Sequence, residues 1–240
     1  MADQEIAKHT KKVYKIWNSP NHGFWHKFKE FFIEIIIIVF AVTISIWFHN
    51  LSEKRHEQAE ARAFLTGLKG DLQKDIEEMN SDTLSYHEQY HFFKLLSDSA
   101  ETIKDTVVLD NNNWMFSNTT ALIPNISRFE ALKYSGRMNT IENKELLDEI
   151  LNLYEEKIPK LVDEGKSIAA FKNNLIATYF DEKMLFGKNR ETELLHQIKS
   201  DEKLRYIFKR SRSNMMYIIS LYKGVIAQNN KLIKMIDSEL

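Results

Sequence analysis

His87-Glu88-Gln89-Tyr90-His91 is the stretch whose residue types and spacing come nearest to a catalytic pattern. H-E-x-x-H on a helix places two imidazoles on one face, where they can hold zinc with the glutamate as general base. The chemistry would be metal-assisted hydrolysis. The surroundings point elsewhere: the next glutamate, Glu101, follows only ten residues on, and no downstream histidine motif appears. Tyr86 and Phe93 flank the motif at core spacing, so His87 and His91 read as the solvated side of an apolar stripe. They stay as the metal candidates of a reading that otherwise expects no metal, no cofactor and no enzyme.

Lys203, Arg205, Lys209, Arg210 and Arg212, interleaved with Tyr206 and Phe208, form a basic cluster of the kind that could meet nucleic acid. The aromatics sit at core spacing, and 33 Lys and Arg balance 34 Asp and Glu over the chain. A solvated helix face is the plainer reading, with no nucleic-acid partner. The absence of cysteine excludes a disulfide framework, a thiolate metal site and a cysteine nucleophile. No phosphate loop or nucleophile elbow is present.

These residues must be positioned by helices, and one helix comes first. Phe31 to Phe48, FFIEIIIIVFAVTISIWF, carries a single charge, Glu34. At ~1.5 Å per residue such a helix spans about 27 Å, close to the hydrocarbon thickness of a bilayer. We expect a transmembrane helix over 31–49, preceded by a basic arm over 1–30. No small-x-small cleavage site follows Phe48, which predicts an uncleaved anchor. Lys11, Lys12, Lys15, Lys27 and Lys29 precede the span, against Lys54, Arg55 and Arg62 after it. That bias predicts a cytoplasmic N-terminus and a periplasmic C-terminal domain. Trp25, Phe28 and Trp47 fall where aromatic belts meet lipid headgroups. In the arm, Ile6, Val13, Tyr14 and Trp17 could line a membrane-surface helix before a turn at Pro20–Gly23, or belong to a disordered basic tail.

Glu34, Ile38, Ala41, Ser45, Phe48 and Ser52 follow one another at spacings of four and three and share one helical face. Small residues let helix backbones approach, and a carboxyl in hydrocarbon needs a partner. The expectation is self-association through this face. The alternative for Glu34 is snorkelling to water beside Lys27.

The run from Glu34 to Glu53 resembles the GE-I-x-x-V-x-I-G-I-x-I-A-x-x-I-N-N-W-N-E anchor of an uncharacterised family of Bacteroidota membrane proteins. Glu34, Asn50 and Glu53 fall on its acid, second asparagine and final acid; Ala41 and Ser45 replace its internal Gly and Ala. Ile33, His49 and Leu51 depart from it. Phe129 to Leu146, FEALKYSGRMNTIENKEL, is similar to the family's aromatic-E-A-L-K-x-S-G segment. The resemblance implies single-pass topology and an inner-membrane location, and no chemistry.

Beyond the span, Leu51, Leu65, Leu72, Met79, Tyr86 and Phe93 recur on a seven-residue grid. Ala61, Leu68, Ile76, Tyr90 and Leu96 fill the companion positions. This predicts a long membrane-proximal helix over 50–97, with Gly70 and Asn80-Ser81 as places to bend. A loop and short helix should occupy 98–142. Trp114 and Phe116 would pin the loop, Ser127 would cap the helix and Gly136 would end it. Two long helices should fill 143–240. The first would be capped by Asn143, kinked at Pro159 and Gly165 and closed at Phe186-Gly187; the second would start at Ser200. The fold class is all-α: one transmembrane helix continuing into an extramembrane bundle of long antiparallel helices.

With membrane lipid, copies of itself and envelope proteins as partners, the expected role is a homo-oligomeric scaffold or adaptor. The competing readings are a membrane-anchored zinc hydrolase on His87, Glu88 and His91, and a sensor signalling through a cytoplasmic partner.

Overall fold

A computed structural model describes residues 24–98, 100–183, 185 and 190–240, together with 7, 8, 10–12, 14 and 15. Ile6, Val13, Trp17, the Pro20–Gly23 turn and the Phe186-Gly187 stop lie outside the described residues. The described chain is helical, without a strand. It divides into two compact units, Met1–Glu60 and Ala61–Leu240.

Helix α1 runs unbroken from Phe24 to Asp98, through Gly70 and Asn80-Ser81. The described arm positions of the first unit are also helical. One helix of the described chain is long and apolar enough to cross a membrane, with a mean hydropathy of 2.6 over its best 18 residues, of which 6 % are buried. Phe32, Ile33, Ile36, Phe40, Ile44 and Phe48 are exposed although they point in different directions around the axis. Thr43 and Ser45 donate their hydroxyls to the carbonyls of Val39 and Ala41 (2.7 and 2.8 Å), so neither brings an unmet donor into the apolar stretch.

In the second unit the seven-residue grid becomes a core face. Leu65, Leu72, Met79, Tyr86 and Phe93 are buried, with Leu68 and Leu96 beside them. Short helices follow: α2 (Val107–Asn111), a 3₁₀ turn Asn113–Phe116 and α3 (Ser127–Tyr134). Phe116 is buried and Trp114 is 45 % exposed, so only the first pins the segment. Ser127 occupies the first turn of α3 and makes no capping bond. Gly136 takes φ +72° just past the helix, a conformation that favours glycine there.

Asn143 caps α4 (Lys144–Asn152), its side chain accepting from Leu146 N at 3.1 Å. The helix continues as a π segment (Leu153–Lys157), α5 (Ile158–Phe171), a second π segment (Lys172–Ala177) and α6 (Thr178–Glu182). Pro159 has no N–H and its ring crowds the carbonyl four residues back, and the widened turn just before it accommodates both. Helix α5 runs on through Gly165. A Cβ there would lie 3.5 Å from the Ala121 side chain, at ordinary contact distance.

A separate helix, α7 (Arg190–Ser200), was not legible in the sequence, and Ser200 ends it. Asp201 caps α8 (Glu202–Glu239) instead, accepting from Lys203 N and Leu204 N at 2.8 and 3.3 Å. Helix α8 runs antiparallel to α1: Phe93 meets Phe208 (5.8 Å between rings), Asp82 meets Tyr222, and Lys69 meets Asp237. Phe116 stacks or edges against Phe92, Phe180 and Phe208 at one end. Each such fully buried large side chain contributes about 1.5–3 kcal/mol.

Candidate functional site

On the span face the residues fare differently. Ala41, Ser45, Phe48 and Ser52 are exposed and Ile38 is half-buried. Glu34 is buried, and Lys12 of the arm stands 3.6 Å from its carboxylate. The acid is thus engaged within its own chain, while the small pair Ala41 and Ser45 is open to an approaching surface.

His87 is half-buried and His91 exposed on α1. Among the described residues, no three His, Asp or Glu side chains converge as a metal site. The basic cluster is dispersed over protein partners. Arg212 pairs with Asp98, Lys203 with Glu182, Arg205 donates to Lys199 O, and Arg210 lies over the Phe171 ring. Phe208 is in the core, whereas Tyr206 is 63 % exposed.

The polar chemistry of the second unit lies on a face the sequence reading did not single out. Asp71, Asp75, Glu78 and Asp82 recur at spacings of four, three and four, so α1 carries them as a ladder beside its apolar stripe. The ladder holds segment 118–128 as a strap running antiparallel to the helix. Arg128 Nε donates to Asp71 at 2.9 Å, and Asn125 N and Nδ2 donate to Asp75 Oδ1 at 3.1 and 2.6 Å. Ile123 N donates to Glu78 at 2.8 Å, and the Thr120 hydroxyl to Asp82. An extended strap has no ladder of its own, and these carboxylates satisfy its amides. Burial pushes the Asp75 carboxyl above its usual range, against the pull of its two bonds from Asn125.

Two tyrosines extend the network. The Tyr222 hydroxyl donates to Asp82 Oδ2 at 2.7 Å and accepts from Leu122 N at 3.1 Å. The Tyr86 hydroxyl donates to Thr120 O. Burial, then Asp82, raise both phenols.

At the distal end of the strap sits Lys172, the first residue of the second π segment and 1 % exposed. Its ammonium donates to Gln89 Oε1, Met115 O (3.0 Å) and Asn118 O. Three donors meet three acceptors, with the Phe93 ring 5.6 Å away. Burial lowers the Lys172 pKa to about 7. Beside it an open-sided pocket of about 230 Å³ is lined by Trp114, Phe116, Ile176 and Phe180, with Asn173 and Arg190 among its polar groups. A lysine whose donors are all taken ties segments together and leaves no free amine for chemistry. Its inward turn had no signal in the sequence, because lysine reads as surface by default. The acid ladder had one: a second periodic stripe, four and three apart, in register with the apolar one.

Fold and surface define a class: an all-helical protein with one candidate membrane helix and a bundle whose buried polar groups serve its own packing. Residues 34–185 match a family of unknown function, DUF6090, and the chain belongs to that family. The match opens on Glu34 and takes in the span, ladder, strap and Lys172; α8 lies beyond it. No curated protein matches the chain, and no solved structure does.

Proposed function

We propose that this protein is a single-pass inner-membrane protein whose helical domain lies on the periplasmic side and acts through protein contacts, as a homo-oligomeric scaffold or adaptor of the envelope. The observation that carries the reading is the exposure of the apolar stretch from Phe32 to Phe48 around the whole helix. So large an apolar surface needs lipid or protein cover. In a bilayer most of it faces acyl chains, and the Ala41 and Ser45 stripe is where a second backbone can come close. Trp25, Phe28 and Trp47, all exposed, suit the two headgroup levels. The lysine bias supports the orientation.

The bundle supports a binding role over catalysis. Its buried acids hold strap amides and its buried lysine is saturated. The arm, tied to Glu34 through Lys12, and the bundle are the parts available to partners.

Topology is tested by paired C-terminal reporters in a didermal bacterial host, one active only outside the cytosol and one active only inside. The reading expects the first to be active and the second dark. The reverse pattern would remove the periplasmic assignment, and activity of both reporters in soluble fractions would remove the anchor itself.

A further inference from the structure

Asp75 Oδ2, the Tyr154 hydroxyl and both amide atoms of Asn229 are buried in the second unit with no hydrogen-bond partner among the described residues. Asp75 and Asn229 are 0 % exposed and Tyr154 is 5 % exposed. Isolated orphans of this kind are costly and rare. Here they fall together.

The helix register brings Asp75 and Asn229 to one level. Asp82 of α1 meets Tyr222 of α8 at 2.7 Å, and the helices are antiparallel. Two turns back along α1 is Asp75, and two turns forward along α8 is Asn229, seven residues from each contact partner. A long tyrosine bridges the helices at the first level; at the second, the facing pair is the shorter Asp75 and Asn229. Tyr154 comes from the π segment that follows α4. Gln228, next to Asn229, donates to Asn152 Oδ1 at 3.0 Å, which sets Asn229 at the level of that segment. The charges of Asp75 and Asp71 add to burial in raising the Tyr154 phenol, so the two acids are neighbours of that side chain. Phe129 stacks on the Tyr154 ring at 4.6 Å and covers it from the strap side.

We propose that Asp75, Tyr154 and Asn229 line an internal site that holds bound water, joining α1, the Leu153–Lys157 segment and α8. The donor set selects the ligand. Asn229 offers an N–H₂, Tyr154 an O–H that can also accept, and Asp75 and Asn229 offer oxygens. Water, with two donors and two acceptors, meets every one of these groups. A metal cation would use the oxygens and leave the amide hydrogens facing its charge. The bond set is directional where the surrounding leucines and isoleucines are not, so the site fixes the register of three helices.

The sign of one substitution tests this. Deleting an orphan hydroxyl from a dry core relieves a penalty, whereas deleting one bonded to a held water loses a bond. Thermal unfolding of the full-length protein in detergent, followed by circular dichroism, should show Tyr154→Phe lowering Tm by about 2–4 °C. The drop should persist when sodium is replaced by choline and a chelator is added. It should shrink in an Asn229→Ala background, where the same water has already lost a partner. A Tm that rises or stays level with Tyr154→Phe would mean a dry cavity and overturn the proposal. A drop that needs sodium or calcium would assign a cation, and strict additivity of the two substitutions would mean they share no molecule; either overturns it.

Discussion

The Lys12 ammonium stands 3.6 Å from the carboxylate of Glu34, the single acid of the apolar span. Lys12 remains 63 % exposed while the Glu34 side chain is 4 % exposed. The lysine therefore reaches from the solvent side to the buried carboxylate. A charge in that position needs a partner, and here the chain supplies its own. A carboxyl already met in cis is a weak reason for two spans to associate. The proposed association thus rests on the small residues of that face.

Glu34→Gln should accordingly leave the oligomeric state unchanged in detergent. Native mass spectrometry of the two proteins checks it. A fall to monomer in the variant would show that the acid bridges copies.

Tyr222 does two jobs at one atom, donating to Asp82 and accepting from Leu122 N. Tyr222→Phe leaves a buried backbone N–H unmet and removes one of the bonds to Asp82. The expected loss is about 1–3 kcal/mol of stability, read by chemical denaturation with unchanged helicity. An unaltered midpoint would mean that the strap contributes nothing to the bundle.

Lys172 gives the fold a pH dependence. Its pKa is about 7 when folded against 10.5 for the ordinary side chain, because burial disfavours the ammonium. Between those values the unfolded chain binds more protons than the folded one, so stability rises with pH across that window. The phenols of Tyr86, Tyr154 and Tyr222 are raised, and their contribution falls away above about pH 10, the ordinary tyrosine value. Melting temperature should climb from pH 7 to about 9.5, and Lys172→Met should flatten that climb. A flat wild-type profile would mean that the three acceptors hold the ammonium as firmly as water does.

Zinc offers a direct check on His87 and His91. Purified protein should carry less than one zinc per chain, and His87→Ala should leave that content unchanged, measured by elemental analysis. One tightly held zinc lost in the variant would revive the hydrolase.

What could be read in advance was whatever repeats. Leu65, Leu72, Met79, Tyr86 and Phe93 announce a buried stripe because apolar side chains at that spacing have one stable place to go. The ladder Asp71, Asp75, Glu78 and Asp82 repeats as well, yet acids on a helix are ordinarily solvated, and the strap that buries them is aperiodic and distant in sequence. Asp201 took the capping role expected of Ser200 because α7 had already claimed the serine. Helix α7 carries only Leu194 and Ile198 as fully buried residues, too short a pattern to stand out. Lys172 was hidden by its type. The arm contact was hidden by distance: nothing in the spacing of Lys12 relates it to Glu34.

Self-association through Ala41 and Ser45 is the claim on which the scaffold reading rests, and one sizing experiment reaches it. Light scattering or native mass spectrometry of the full-length protein in detergent would compare wild type, Ala41→Leu/Ser45→Leu, and the control Val39→Leu/Ile46→Leu on the opposite side of the helix. Helix pairing in hydrocarbon depends on close backbone approach, which the first pair of leucines blocks and the second does not. The account predicts an oligomer for wild type and control and a smaller species for Ala41→Leu/Ser45→Leu. A monomeric wild type, or an oligomer that survives the Ala41→Leu/Ser45→Leu change intact, would contradict it.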